Sequence, residues 1–169
     1  GTDNLFLGIN SGNFTMSGLG NTAIGNSALD NNTTGIFNTS LGVQSLTNNT
    51  TGDNNTSLGY QSLSGNLSGD NNVAIGHLTL SSNNSGLSNT GVGFRSLTAN
   101  TTGDNNVAIG NNSGATITTG SNNIAIGNAA NVSSGTSSNQ IRLGNTAITY
   151  AGIQVAWTVT SDRRLKSNI

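Results

Sequence analysis

Apolar and polar positions alternate over short stretches of this chain, and the alternation returns every 17 residues. The clearest copy is Asn21-Thr22-Ala23-Ile24-Gly25. Its glycine, here called the strand glycine, recurs in phase without an insertion at Gly8, Gly25, Gly42, Gly59, Gly76, Gly93, Gly110, Gly127 and Gly144. A fixed period of this size is typical of a solenoid, in which each repeat forms one coil stacked on the last.

Three columns of the repeat predict a short strand before each strand glycine. The aliphatic column is Leu7, Ile24, Leu41, Leu58, Ile75, Val92, Ile109, Ile126 and Leu143. The β-branched column is Leu5, Thr22, Thr39, Thr56, Val73, Thr90, Val107, Ile124 and Ile141. Between them runs the small column, Ala23, Ser40, Ser57, Ala74, Gly91, Ala108 and Ala125. Because alternate strand residues share a face, we expect the first two columns to point inward and the small column to face a neighbouring chain.

Two further columns predict a second short strand and a second turn in each coil. The leucine column is Leu29, Leu46, Leu63, Leu80 and Leu97. The second glycine column is Gly18, Gly35, Gly52, Gly69, Gly86, Gly103 and Gly120. We expect both glycine columns to adopt the positive φ angles that carry no steric penalty for glycine.

Asparagine fills two columns near the turns. The first asparagine column is Asn4, Asn21, Asn38, Asn55, Asn72, Asn89, Asn106 and Asn123. The second is Asn32, Asn49, Asn66, Asn83 and Asn100. Stacked asparagines can bond along an axis, as in cross-β ladders, so we expect hydrogen bonds from coil to coil.

These columns predict an all-β protein, a parallel β-roll or β-helix solenoid of nine 17-residue coils over residues 1–144. Strict alternation around Ile153, Val155, Trp157 and Val159 predicts an extended β neck over residues 145–160, followed by a charged segment over 161–169. About three inward apolar side chains per coil are too few to offset the ordering of 17 residues, at about 1–2 kcal/mol each. We therefore expect several chains to associate side by side.

Composition excludes several functions for residues 1–144, here called the shaft. The chain has a net charge of −1, no cysteine, no glutamate and one histidine, and three of its five basic residues lie in the last seven positions. The shaft therefore lacks a basic face for nucleic acid, and no apolar run approaches the roughly 20 residues of a membrane span. It also lacks an acid/base pair or catalytic triad, so we expect no enzyme activity in the shaft.

Two groups of residues are candidate binding sites. Tyr60, His77 and Phe94, here called the aromatic stripe, follow the strand glycines of three successive coils. They could stack on sugar rings, but stacking for its own sake or subunit contact is the interpretation we favour. Asp53 and Asp70 share a turn column in adjacent coils and suggest a weak Ca²⁺ site; we favour solvated turn aspartates and expect no cofactor.

The repeat and the C-terminal segment each resemble a known family. The copies NTAIG (21–25), NNVAIG (71–76 and 105–110) and NNIAIG (122–127) resemble the head repeat of trimeric autotransporter adhesins. That resemblance implies a parallel β-roll in a homotrimer. The segment IQVAWTVTSDRRLKSNI (153–169) resembles the junction between a phage tail fibre or tail spike and a self-cleaving C-terminal chaperone of the endosialidase type.

The second resemblance implies a single-turnover cleavage and a function. Ser161 would be the cleavage-site serine and nucleophile, Lys166 its basic partner, and Asp162 would flank the cut. We expect the distal shaft of an extracellular, homotrimeric viral tail fibre that attaches to a host surface, with a cell-surface glycan as a candidate partner. The alternatives are a bacterial trimeric surface adhesin and the non-catalytic stalk of a polysaccharide-degrading tail spike.

Overall fold

Nine three-residue strands form one parallel sheet in the computed structural model, which describes residues 3–149. They are β1 (Leu5–Leu7), β2 (Thr22–Ile24), β3 (Thr39–Leu41), β4 (Thr56–Leu58), β5 (Val73–Ile75), β6 (Thr90–Val92), β7 (Val107–Ile109), β8 (Ile124–Ile126) and β9 (Ile141–Leu143). The strands pair in chain order from β1 to β9. Each residue pairs with the residue 17 positions later, as Thr56 does with Val73. The predicted all-β solenoid with 17-residue coils is therefore confirmed.

The two faces of each strand are the reverse of the prediction. The small column is buried, with Ala74 fully inaccessible, whereas Leu58 in the aliphatic column is 41% exposed. The small residues pack against the turn of their own chain: the Ser40 hydroxyl donates to the Ser45 carbonyl at 2.7 Å, and the Ser45 hydroxyl donates to Ser57 Oγ at 2.8 Å. The coil is so narrow that only small side chains fit between strand and turn, so the aliphatic side chains point outward.

The leucine column is buried as expected, but it does not lie in a second strand. In the described residues each coil has one strand, and the leucines follow it in a run of turns. Gln61 and Leu63 have φ angles of 52° and 49°, and the equivalent residues of neighbouring coils have similar values. This left-handed conformation is uncommon for bulky residues. It curls the chain inward and places each leucine in the core instead of on an extended ladder.

The two glycine columns serve different purposes. The strand glycines from Gly8 to Gly127 have φ angles between 114° and 138°, as the sequence predicts. None of the glycines in the second glycine column has a positive φ, so the prediction is wrong for this column. A Cβ atom on Gly69 would lie 2.5 Å from Asn66 Oδ1 and would also clash with the Gly86 carbonyl of the next coil. These positions need glycine because there is no space for a side chain.

The two asparagine columns form the predicted ladders and lie in the core. Asn72 donates its backbone N–H to Asn55 Oδ1 at 2.9 Å and its side-chain Nδ2 to the Gly86 carbonyl at 2.8 Å. In the second column, Asn83 donates Nδ2 to Asn66 Oδ1 at 2.8 Å and to the same Gly86 carbonyl at 3.0 Å. The Gly86 carbonyl therefore links the two asparagine ladders across the interior.

The C-terminal predictions fall almost entirely outside the described residues. Residues 145–149 of the proposed neck contain a turn and no strand. The extended strand expected around Trp157 and the charged segment 161–169 lie beyond residue 149.

Candidate functional site

One side of the roll carries three outward-facing columns, here called the outer face. Two are the aliphatic and β-branched columns. The third follows the strand glycines: Ile9, Asn26, Val43, Tyr60, His77, Phe94, Asn111 and Asn128. The parallel hydrogen-bond pattern continues across the glycine, because the Gly59 N–H donates to the Leu41 carbonyl at 2.8 Å and the Gln61 N–H to the Val43 carbonyl at 3.0 Å. The alternation of side chains therefore extends to this third column.

The outer face carries an unbroken aliphatic column and no acidic, lysine or arginine side chain in its three columns. Every member of the aliphatic column is at least partly accessible, and most are exposed, including Leu41, Leu58, Ile75, Ile109 and Ile126. None of the three columns contains Asp, Glu, Lys or Arg. A continuous exposed patch of this kind marks an interaction surface on a soluble protein. The sequence pattern alone does not indicate this surface, because the alternation of the aliphatic column with small residues predicts that the aliphatic side chains face the core.

The structure brings the three members of the aromatic stripe into contact. The ring centroids of Tyr60 and His77 are 5.2 Å apart with an interplanar angle of 72°, and those of His77 and Phe94 are 5.3 Å apart at 70°. Such edge-to-face pairs are favourable because the positive edge of one ring meets the negative face of the next. The predicted stacking along the axis is therefore present, and all three side chains remain exposed.

Asp53 and Asp70 lie in adjacent coils, and each has one carboxylate oxygen bound to backbone. Asp53 Oδ1 accepts the Ile36 N–H at 2.8 Å, and Asp70 Oδ1 accepts the Asp53 N–H at 2.8 Å. Asp104 Oδ1 accepts the Leu87 N–H in the same way. In residues 3–149, no three His, Cys, Asp or Glu side chains form a group that could hold a metal ion. A role of these aspartates in turns has direct support, and Ca²⁺ binding stays a prediction.

The predicted cleavage residues Ser161, Asp162 and Lys166 lie outside the described residues, and their roles stay predictions. Within the described part of the chain, no helix has the length and apolar character needed to cross a membrane. Comparisons of the chain with protein-family models, curated proteins and solved structures found no match.

Proposed function

We propose that this chain is the shaft of an extracellular homotrimeric fibre, a viral tail fibre used in attachment to a host surface. The observation that carries the proposal is the outer face, which presents accessible aliphatic side chains in coil after coil while the interior is filled without them. Apolar side chains in this arrangement gain about 25 cal/mol for each Å² that a partner removes from water.

The partner that best matches the outer face is another copy of the chain. Its rows repeat every 17 residues, and adjacent strands of a sheet lie about 4.8 Å apart. A second copy of the chain has the same repeat, so its rows can cover every row of the outer face. Because the face carries no charged side chain, equivalent rows can meet at the same level without repulsion.

The number of chains and the biological setting are proposed from the two resemblances. The repeat resembles the heads of trimeric adhesins, and residues 153–169 resemble a tail-fibre junction with a trimeric chaperone. A bacterial adhesin and the stalk of a polysaccharide-degrading spike remain the alternatives. Each of them is extracellular and uses the same solenoid. In a tail fibre or tail spike, Ser161 and Lys166 are proposed to act once, in a cleavage that follows assembly.

Sedimentation equilibrium of the wild-type chain and two lysine variants tests this proposal. Ile75→Lys places a charge on the outer face, where an unpaired buried ammonium is strongly unfavourable. Ser85→Lys is the matched control, because Ser85 is exposed and belongs to none of the three columns of the outer face. We expect a three-chain mass for the wild type and the control, and at least tenfold weaker association for Ile75→Lys with unchanged circular dichroism. A single-chain mass for the wild type, or an unaffected Ile75→Lys trimer, would contradict the proposal.

A further inference from the structure

We infer that the aromatic stripe sets the axial register between copies of the chain, an inference that rests on the self-association proposed above. The aliphatic column of the outer face cannot set a register. This column has Leu, Ile or Val in every coil. If one copy slips by a single coil, almost every aliphatic row still meets an aliphatic row, so the slipped state loses little contact.

The third column of the outer face breaks this repetition. Val43 and Asn111 border the three rings of the aromatic stripe in the preceding and following coils. In register, rings lie level with rings of the neighbouring copy. A slip of one coil places a ring at each end of the stripe beside a smaller side chain, which leaves a gap of the kind that weakens packed interfaces.

The rings also have surface left to contribute to such a contact. Tyr60 is 47% exposed and Phe94 is 41% exposed although both pack against His77. Only the strand glycine separates each ring from an aliphatic side chain of the outer face, as Gly59 separates Leu58 from Tyr60. A copy that covers the aliphatic column therefore reaches the stripe.

The geometry favours this role over sugar binding. Successive rings are turned by 72° and 70°, so the stripe does not offer one flat platform on which a sugar chain could stack. Sugar sites also need polar groups directed at the ligand. Gln61, next to the stripe, instead donates its side-chain amide to Gln44 of the preceding coil at 2.8 Å.

Disulfide cross-linking between two differently tagged chains reports the register, because the natural chain has no cysteine. One chain carries Leu58→Cys and the other Ile75→Cys, at paired positions of adjacent coils. In register, each cysteine meets its equivalent, and oxidation links chains with the same tag. A slip of one coil brings the two different cysteines level and favours links between chains with different tags, because adjacent coils differ in height by about 4.8 Å and a disulfide forms most readily between the nearest Cα atoms.

The stripe is then removed in both chains by Tyr60→Thr, His77→Thr and Phe94→Thr together. The matched control replaces Asn26, Asn111 and Asn128 of the same column with threonine. We expect mixed-tag links to stay below about a tenth of same-tag links in the wild-type and control backgrounds, and to rise at least fivefold without the stripe.

Each outcome bears on the inference separately from the proposed function. Abundant same-tag links with an unchanged ratio in the triple variant would overturn the register role alone. An unchanged ratio of links in the triple variant, together with lost binding on a glycan array, would assign the stripe to sugar recognition instead. An absence of links in the wild-type background, together with a single-chain mass, would overturn the proposed function and the register role with it.

Discussion

The interior and the outer face of the roll differ in a way that reverses the usual distribution of residues. Asparagine side chains such as Asn55 and Asn66 are fully buried, while Leu58 and Ile126 are about 40% exposed. The interior of each coil has room for one large apolar side chain, as at Leu63, and the remaining space is taken by small or hydrogen-bonded groups. In a coil this narrow, hydrophobicity alone does not tell inside from outside.

The two regions also depend on different partners. A buried amide is stabilising only while its hydrogen bonds are complete, because an unsatisfied buried group costs about 1–3 kcal/mol. The ladders therefore depend on the continuity of the chain itself. The aliphatic side chains of the outer face depend on whatever covers them, so their contribution should vary with chain concentration.

We expect the largest difference in the free energy of unfolding when leucine is replaced by alanine in the interior and, separately, on the outer face. Leu63→Ala leaves a cavity in the core and should lower the free energy of unfolding by about 3 kcal/mol at any chain concentration. Leu58→Ala, five residues earlier, should have an effect that depends on concentration and vanishes for the dissociated chain. Urea unfolding at two chain concentrations, followed by circular dichroism, measures both; equal effects of the two substitutions would contradict the assignment of faces.

A polar residue replaced by an apolar one of similar size should destabilise the interior. Asn72→Leu removes the Oδ1 atom that accepts the Asn89 N–H at 2.9 Å, so a buried donor is left without a partner. We expect a loss of about 2 kcal/mol in the free energy of unfolding. Asn84→Leu is the control, because Asn84 is exposed and the preceding coil carries Leu67 at that position. An unchanged stability of Asn72→Leu would show that the ladder contributes nothing.

The second ladder ends at Asn100, where one coil departs from the pattern. The buried Oδ1 atom of Asn100 has no hydrogen-bond partner in the part of the chain that the structure describes. The residue 17 positions later is Ile117 instead of asparagine, and Gly114 stands where the five preceding coils have leucine. A Cβ on Gly114 would lie 2.9 Å from Leu97 Cδ2 and 3.3 Å from Ile117 Cδ1, so the side chains of Leu97 and Ile117 occupy this part of the core.

Replacing both Gly114 and Ile117 should have the smallest effect on the free energy of unfolding. Ile117→Asn alone supplies a donor to Asn100 but empties the core, and should cost about 2 kcal/mol. Adding Gly114→Leu restores the pattern of the five preceding coils, and Gly114 already has the left-handed φ of 60° that the leucine column adopts. We expect the double variant to unfold within about 1 kcal/mol of the wild type. A double variant no more stable than Ile117→Asn would contradict this account of the coil.

The sequence was sufficient for the period, the register and both ladders, because each is a repetition of identical residues at a fixed spacing. It did not show which face of each strand is buried. It also did not show that the leucine column lies in turns instead of a second strand. The left-handed conformation of Leu63 and its equivalents has no glycine to indicate it, and leucine normally avoids it. The aromatic stripe was identifiable as a column, but its edge-to-face geometry depends on rotamers that only the structure provides.

The second asparagine column has a chemical consequence for how this β-roll can be produced in cells. Each of its members begins the pattern Asn-x-Ser/Thr, in which oligosaccharide is attached to asparagine in eukaryotic secretion: the third residues are Thr34, Thr51, Ser68, Ser85 and Thr102. The attachment atom is Nδ2, which in Asn49 donates to Asn32 Oδ1 and to the Gly52 carbonyl and is fully buried. A sugar added there before folding would keep the coil from closing, and a closed coil shields the amide from the transferase. Glycosylation of these asparagines and formation of the roll are therefore mutually exclusive.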